Sequence, residues 1–153
     1  QRLVLALLIC WVAVQALIPM RHLVIPGNVH WTEEGHRFAW HMLLRDKQGD
    51  IRFLAEDPST GWSQVIDPLT ILTPIQATDM RTRPDMILQF SKHLAERIET
   101  TSGRQTEIRV ETVQSLNSRS PQYLIDPSVD LARAELPHFL GHAPWLVELE
   151  PLP

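Results

Sequence analysis

The chain has 153 residues, which is enough for one domain and too few for two well-packed ones. Its 14 Lys and Arg face 18 Asp and Glu, and the formal net charge of −4 argues against a general nucleic-acid binder, which needs a basic face for the phosphates. Because Cys10 is the only cysteine, an internal disulfide and a cysteine-based metal cluster are excluded.

The chain begins with an apolar segment and continues as an acidic body. Before Trp31 only Arg2 and Arg21 carry a formal charge. Three interpretations of this segment remain open: the last transmembrane helix of a larger membrane protein, a signal peptide cleaved near Ala16, or a buried amphipathic helix. The chain starts with Gln1 rather than Met, which predicts further sequence upstream. We assign residues 1–25 to a transmembrane helix and residues 26–153 to an extramembrane domain.

The body starts after Pro26-Gly27-Asn28, a sequence typical of a turn, and the pattern that follows predicts short strands. Apolar residues alternate with polar ones from Phe38 to Leu44 and again from Ile51 to Ala55, which predicts a hairpin with its turn at 46–50. A second turn at 57–61 and a third strand at Trp62 to Ile66 follow.

The second half of the body contains one clear helix and one clear strand. Pro84 suits a first helical turn, apolar residues then follow at helical spacing, and Gly103 marks the end. The alternation from Thr106 to Leu116 predicts a strand, and the slip in phase at Val113 predicts a bulge or the end of the strand. A last short strand is predicted at 145–150. The predicted fold class is α+β: one N-terminal transmembrane helix, then a small, mainly antiparallel β domain with one covering helix.

The candidate chemistry in this sequence is sparse. His138 and His142 have the i, i+4 spacing of a zinc pair, but flanking prolines and Gly141 disfavour a helix there, and we predict no metal site. Glu33 and Glu34 look like the first turn of a helix, where acids suit the dipole, rather than a catalytic pair. No nucleophile motif or phosphate-binding glycine loop is present, and we predict no catalytic residue.

Two tryptophans and one polar cluster are the most informative residues. Trp31 follows the apolar segment and fits either a membrane interface or the core, whereas Trp40 lies in the alternating strand and is predicted to be core. The polar cluster extends from Ser115 to Asp130. From the residues alone we interpret it as a structural network, in which Asn and Asp cap turns and Arg119 clamps a carboxylate.

The sequence resembles the vitamin K-dependent gamma-carboxylase family, including bacterial relatives with the horizontally transferred transmembrane (HTTM) domain. The matching residues run from the apolar segment to about Leu131. They are Trp31, Gly35, Phe38, Trp40 and Met42, then Gln76 and Asp85-Met86, and then Ser115-Leu116-Asn117-x-Arg119-x-x-Gln122 followed by Asp126-Pro127-x-Val129-Asp130-Leu131. Two departures are Ser118, where bacterial relatives often carry Gly, and the lack of a counterpart to the family's catalytic lysine, because Lys47 and Lys92 belong to the body.

The resemblance implies that the chain is the C-terminal piece of a membrane lyase, without its reaction centre and inactive alone. The parent would carboxylate peptidyl glutamate, using vitamin K hydroquinone, O2 and CO2, and this piece would carry none of those cofactors. Its partners would be the lipid bilayer, the upstream membrane helices and a peptide or protein substrate, with the body on the extracytoplasmic side. In this interpretation a structural, domain-seating role falls to Trp31, Gly35, Trp40, Asn117, Arg119, Gln122, Asp126 and Asp130. The alternative is a non-catalytic extracytoplasmic binding or sensing domain with a single anchor or a cleaved signal peptide.

Overall fold

A computed structural model describes residues 1–41 and 45–151. It shows an apolar N-terminal helix followed by a body in which helices pack on one antiparallel sheet, and the α+β prediction is confirmed. The helices are α1 (Arg2–Met20), α2 (Val29–Thr32), α3 (Pro74–Met80) and α4 (Pro84–Ser102), with 3-10 turns at Arg21–Leu23 and Pro68–Thr70. The strands are β1 (Lys47–Asp57), β2 (Trp62–Ile66), β3 (Glu107–Leu116) and β4 (Gln122–Tyr123).

Helix α1 is exposed over almost its whole length. Pro19 is its one buried residue, so the apolar side chains of this helix are not covered by the body. The helical stretch Arg2–Leu23, 22 residues long, is apolar enough to cross a membrane, a criterion that a signal sequence near an N-terminus also meets. A soluble core helix would bury its apolar face, and the third interpretation of this segment, a buried amphipathic helix, is therefore wrong.

The sheet has the strand order β2-β1-β3-β4, and all neighbours are antiparallel. The predicted turn at 57–61 joins β1 to β2 in an antiparallel pair, and the predicted strand at 62–66 is confirmed. The centre of the sheet is the long pairing of β1 with β3, which runs from Lys47 opposite Leu116 to Glu56 opposite Glu107.

The first predicted hairpin is wrong. Residues 36–41 form a turn and irregular loop rather than a strand, and Phe38 has a φ of 67°. Trp40 is 83% exposed rather than core, and Met42 and Leu44 lie outside the described residues. The predicted turn at 46–50 belongs instead to β1, because its residues 47–50 pair with β3. Hydrogen bonding to a neighbouring strand outweighs the local turn preference of this polar segment.

Strand β3 is regular through Val113 and continues to Leu116, so both the predicted bulge and the predicted strand end at Val113 are wrong. Val113 keeps the outward position and is 40% exposed, while Gln114 takes the inward position and is fully buried. The Gln114 amide donates to the carbonyl oxygen of Arg81 at 3.0 Å. Gly49 of β1 pairs with Gln114 and has no room for a side chain. A Cβ there would lie 2.1 Å from the Val113 carbonyl oxygen.

The core lies between the inward face of the sheet and α4. The predicted helix is confirmed, with Pro84 at its start and Gly103 ending it at a φ of 69°. The Phe53 and Phe90 rings meet edge to face at a centroid distance of 4.9 Å. The segment after β4 closes the core with Leu124, Leu131 and Trp145. Instead of the strand predicted at 145–150, the described residues form one isolated bridge, between Ile125 and Leu146.

Candidate functional site

Asn117 ties the β3–β4 turn to the start of β1. Its N–H donates to the carbonyl oxygen of Asp46 at 2.7 Å, and its Oδ1 accepts from the N–H of Asp46, also at 2.7 Å. Asn117 and Ser118 have φ values of 50° and 62°, and the N–H of Arg119 donates to the carbonyl oxygen of Leu116. Two successive left-handed residues are the pattern of a type I′ turn, which explains why Gly suits the Ser118 position.

Arg119 and Gln122 hold the C-terminal strip of the chain against the sheet. The Arg119 guanidinium donates to the backbone carbonyl oxygen of Glu150, not to a carboxylate as predicted. The Gln122 side chain donates to the carbonyl oxygen of Glu148 at 2.9 Å and accepts from the N–H of Glu150 at 3.1 Å. These side chains therefore replace the backbone ladder that a strand at 145–150 would have formed.

Asp126 and Asp130 cap backbone groups at the next two turns. Oδ1 of Asp126 accepts from the Ser128 hydroxyl at 2.6 Å and from its N–H at 2.8 Å, and these hydrogen bonds lower the pKa of Asp126. Oδ1 of Asp130 accepts from the N–H groups of Ile108 and Ala132, both at 2.9 Å. The polar groups of the 117–130 segment are thus directed at the backbone of the same domain rather than at a common ligand position.

The other three residues assigned by resemblance are Trp31, Gly35 and Trp40. They lie between α1 and β1 and differ in exposure. Trp31 is fully buried, and its indole N–H donates to the carbonyl oxygen of Val147 at 2.7 Å, so Trp31 is a core residue. Gly35 has a φ of 72° and packs on His22, where a Cβ would lie 2.9 Å from the His22 Cα. Trp40 is exposed.

A buried ionic cluster of Glu33, Arg45 and Lys47 was not predicted from the sequence. The Lys47 side chain is 3% exposed, and its amine donates to the carbonyl oxygens of Trp31 at 2.6 Å and Thr82 at 2.9 Å. Glu33 Oε1 lies 3.2 Å from Arg45 and 3.7 Å from the Lys47 amine. The sequence did contain a sign of this burial. Side chains alternate between the two faces of a strand, and Lys47 falls at the same alternate positions as the inward residues of β1.

Burial shifts the pKa of both Glu33 and Lys47. Desolvation lowers the pKa of Lys47 from 10.5 to about 8, although the Glu33 carboxylate opposes the change. Burial also raises the pKa of Glu33, against the opposing effect of Lys47 and Arg45. Glu33 and Glu34 lie beyond the C-terminal end of α2, so their predicted placement in a first helical turn is wrong.

Glu34 joins the loop after α2 to the loop before Trp145. Its two carboxylate oxygens bind Nδ1 of His142 at 2.5 Å and the N–H of Ala143 at 2.6 Å. Residues 138–142 do not form a helix, and His142 is committed to Glu34 rather than to His138.

Four imidazoles lie around the junction of α1 and the body. The ring centroid of His41 is 4.4 Å from that of His22, 4.9 Å from that of His30 and 6.3 Å from that of His36. Burial lowers the pKa of His30 and of His36. Over residues 1–41 and 45–151, no group of three or more His, Cys, Asp or Glu has a placement that could hold a metal ion.

A pocket of about 360 Å³ opens between the end of α1, the N-terminus of α4 and the 136–146 segment. We call it the basic pocket. Its charged lining residues are Arg21, Glu33, Glu34, Arg37, Arg45, Arg83 and Asp85. Four arginines thus face three carboxylates.

Each carboxylate of the basic pocket already has a partner. Glu33 pairs with Arg45, Glu34 with His142 and Asp85 with Arg37. No carboxylate of residues 1–41 or 45–151 lies within 4.0 Å of Arg83, which is exposed immediately before α4. The pocket can therefore accept an incoming carboxylate at Arg83, where the positive end of the α4 dipole adds to the attraction.

Comparison with known proteins assigns the chain to one family. No solved structure matches the chain. A family model, vitamin K-dependent gamma-carboxylase, lumenal domain, matches residues 1–151, which include the N-terminal helix, the basic pocket and the 117–130 segment. The chain belongs to the vitamin K-dependent gamma-carboxylase lumenal domain family.

Proposed function

We propose that the chain is the extramembrane part of a membrane enzyme that carboxylates peptidyl glutamate, and that its basic pocket binds the glutamyl side chain. The observation that carries this proposal is Arg83, an exposed arginine in the lining of a pocket beside the end of α1, whose guanidinium has no carboxylate partner among the described residues. In the family reaction a glutamyl γ-carbon must be brought to the membrane-embedded chemistry, and a binding group at this end of the helix suits that task.

The charges in the basic pocket favour a carboxylate ligand over a neutral one. Arg83 donates up to five N–H groups in a planar fork that matches a carboxylate. A charge-assisted hydrogen bond of this kind contributes about 1.5–3 kcal/mol. A peptide with Gln in place of Glu has one oxygen acceptor and no charge, and it loses most of this contribution.

We assign no chemical step to the residues of this chain. In the family the oxygenation of vitamin K hydroquinone is coupled to removal of the glutamyl γ-proton and addition of CO2 to the carbanion. A buried amine with a lowered pKa is the kind of base such chemistry requires, but Lys47 does not fit. Its amine is enclosed and donates to two backbone carbonyls, and it therefore leaves no open face for a hydroquinone.

The test is steady-state carboxylation by the full-length protein in membranes with a glutamate-containing peptide. Arg83→Ala is expected to raise the KM for the peptide about tenfold or more, since about 1.4 kcal/mol corresponds to a factor of ten, with a smaller change in kcat. Arg97→Ala is the matched control, because Arg97 is an exposed arginine of α4 outside the basic pocket.

Equal KM values for both variants would refute the role of Arg83. A full-length protein that binds the glutamate peptide through Arg83 but shows no carboxylation with vitamin K hydroquinone would favour the alternative, a binding or sensing domain. Competition by the matching Gln peptide at the same concentration as the Glu peptide would show that charge does not determine binding in the pocket.

A further inference from the structure

An apolar surface surrounds the point where α1 meets the body. It consists of Leu23 and Val24 after α1, and of Leu136, Phe139 and Leu140 on the facing loop, and we call it the exit patch. Leu23 and Val24 are 66% and 68% exposed, and Phe139 and Leu140 are 59% and 56% exposed. Scattered exposed apolar residues are common, but a contiguous group of this kind marks an interaction surface.

The exit patch is continuous with the apolar surface of α1. Phe139 and Leu140 form one wall of an apolar groove of about 430 Å³, and Leu17, Met20 and Leu23 form the other. The environment that covers the end of α1 must therefore also cover this loop. We infer that the exit patch lies in the headgroup and upper acyl-chain region of a lipid bilayer and seats the body on the membrane.

The length of α1 places the patch at the right depth. Nineteen helical residues with a rise of about 1.5 Å each span about 28 Å, close to the roughly 30 Å thickness of the hydrocarbon layer. If α1 spans the membrane, its C-terminal end and the adjoining loop lie at the boundary between acyl chains and headgroups.

The side chains of the patch suit this boundary. The Arg21 guanidinium stacks over the Phe139 ring, 4.3 Å from its centroid. An arginine at the end of a span can direct its charge to lipid phosphates while its stem and an adjacent aromatic ring remain in the apolar layer.

The loop that carries Phe139 is held in place from the protein side. The Glu34 carboxylate binds His142 and the N–H of Ala143, and the N–H of Gly141 donates to the carbonyl oxygen of His138 at 2.8 Å. Because these contacts fix the base of the loop, the exposure of Phe139 and Leu140 is part of the fold. Trp40, another exposed aromatic residue, directly precedes His41, whose Nε2 lies 3.0 Å from Nε2 of His22.

The test is photo-crosslinking in the full-length protein in its native membrane, and it does not depend on carboxylase activity. Phe139→p-benzoylphenylalanine keeps the aromatic ring of Phe139 and adds a benzoyl group, which on illumination crosslinks to neighbouring C–H bonds. The matched control is the same photoprobe at Ile75, an apolar residue of α3 that is 76% exposed and lies outside the groove. We expect phospholipid adducts from position 139 to exceed those from position 75 at least fivefold.

Two results would overturn the inference. Adducts from position 139 that map to polypeptide would show that other membrane helices cover the patch, and lipid adducts no more frequent than at Ile75 would show that it faces water. Leu140→p-benzoylphenylalanine provides an independent reading if the variant at Phe139 does not fold. Absence of carboxylation by the unsubstituted full-length protein, together with lipid adducts from position 139, would count against the proposed function and leave this inference standing.

Discussion

The buried amine of Lys47 makes a quantitative prediction about stability. In the unfolded chain this amine has an ordinary pKa of 10.5, whereas burial lowers the pKa to about 8 in the fold. Each pKa unit corresponds to about 1.4 kcal/mol, so protonated Lys47 is about 3 kcal/mol less favourable in the folded than in the unfolded state. Its side chain is only 3% exposed, and solvent screening reduces this figure little.

The sign of the pH dependence follows from which state binds more protons. Between pH 8 and 10.5 the unfolded chain keeps the Lys47 proton and the folded chain loses it. The free energy of unfolding therefore rises with pH across this window, by about 3 kcal/mol in total. Below pH 8 both states are protonated and the full cost of burying the charge is present.

The perturbation that isolates this effect is Lys47→Met. It removes the charge and retains a flexible apolar chain of similar length. It also leaves the carbonyl oxygens of Trp31 and Thr82 without their donor, at about 1–3 kcal/mol each. The gain and the loss partly cancel at neutral pH, so the slope with pH is the diagnostic quantity rather than the absolute stability.

The assay is urea unfolding in detergent micelles, followed by tryptophan fluorescence, at several pH values between 8 and 10.5. The rise in unfolding free energy is expected in the unsubstituted protein and in the control Lys92→Met, which removes the same charge from an exposed position of α4. It is expected to be absent in Lys47→Met. The reasoning fails if Lys47→Met retains the rise, or if the unsubstituted protein shows none.

Two further predictions concern backbone positions. Gly49→Ala is expected to lower the unfolding free energy by about 3 kcal/mol, because the new Cβ would collide with the Val113 carbonyl in the central pairing of the sheet. Gly61→Ala, which only adds strain at a φ of 72° in open space, is expected to cost about 1 kcal/mol; equal losses in urea unfolding would contradict the β1–β3 register. Ser118→Gly is expected to raise the unfolding free energy by about 0.5–1 kcal/mol, because it relieves a left-handed φ of 62°. Ser120→Gly is its control, and a gain in thermal unfolding midpoint for both or for neither would refute the turn argument.

Local patterns in the sequence were sufficient for the elements whose signals lie within one stretch of chain. Pro84, the apolar helical spacing and Gly103 determined α4, because a helix forms its own hydrogen bonds and its ends need only local caps. The alternation in Glu107–Leu116 determined β3, and the Asp57–Gly61 turn determined the hairpin with β2. The motif residues from Asn117 to Asp130 determined the family.

Only the tertiary structure decided what lies opposite each residue. Alternation shows that one face of a strand is buried and does not show which element pairs with it. For this reason β1 begins at Lys47, where a turn was predicted, and Trp40, which was predicted to be core, is exposed. Arg119 meets a backbone carbonyl 31 residues away, and Lys47 becomes buried because Trp31 and Thr82, on separate segments, enclose its amine. Contacts between distant segments form only when the whole domain is packed. The free-energy cost of burying one polar group then depends on which other groups are buried beside it.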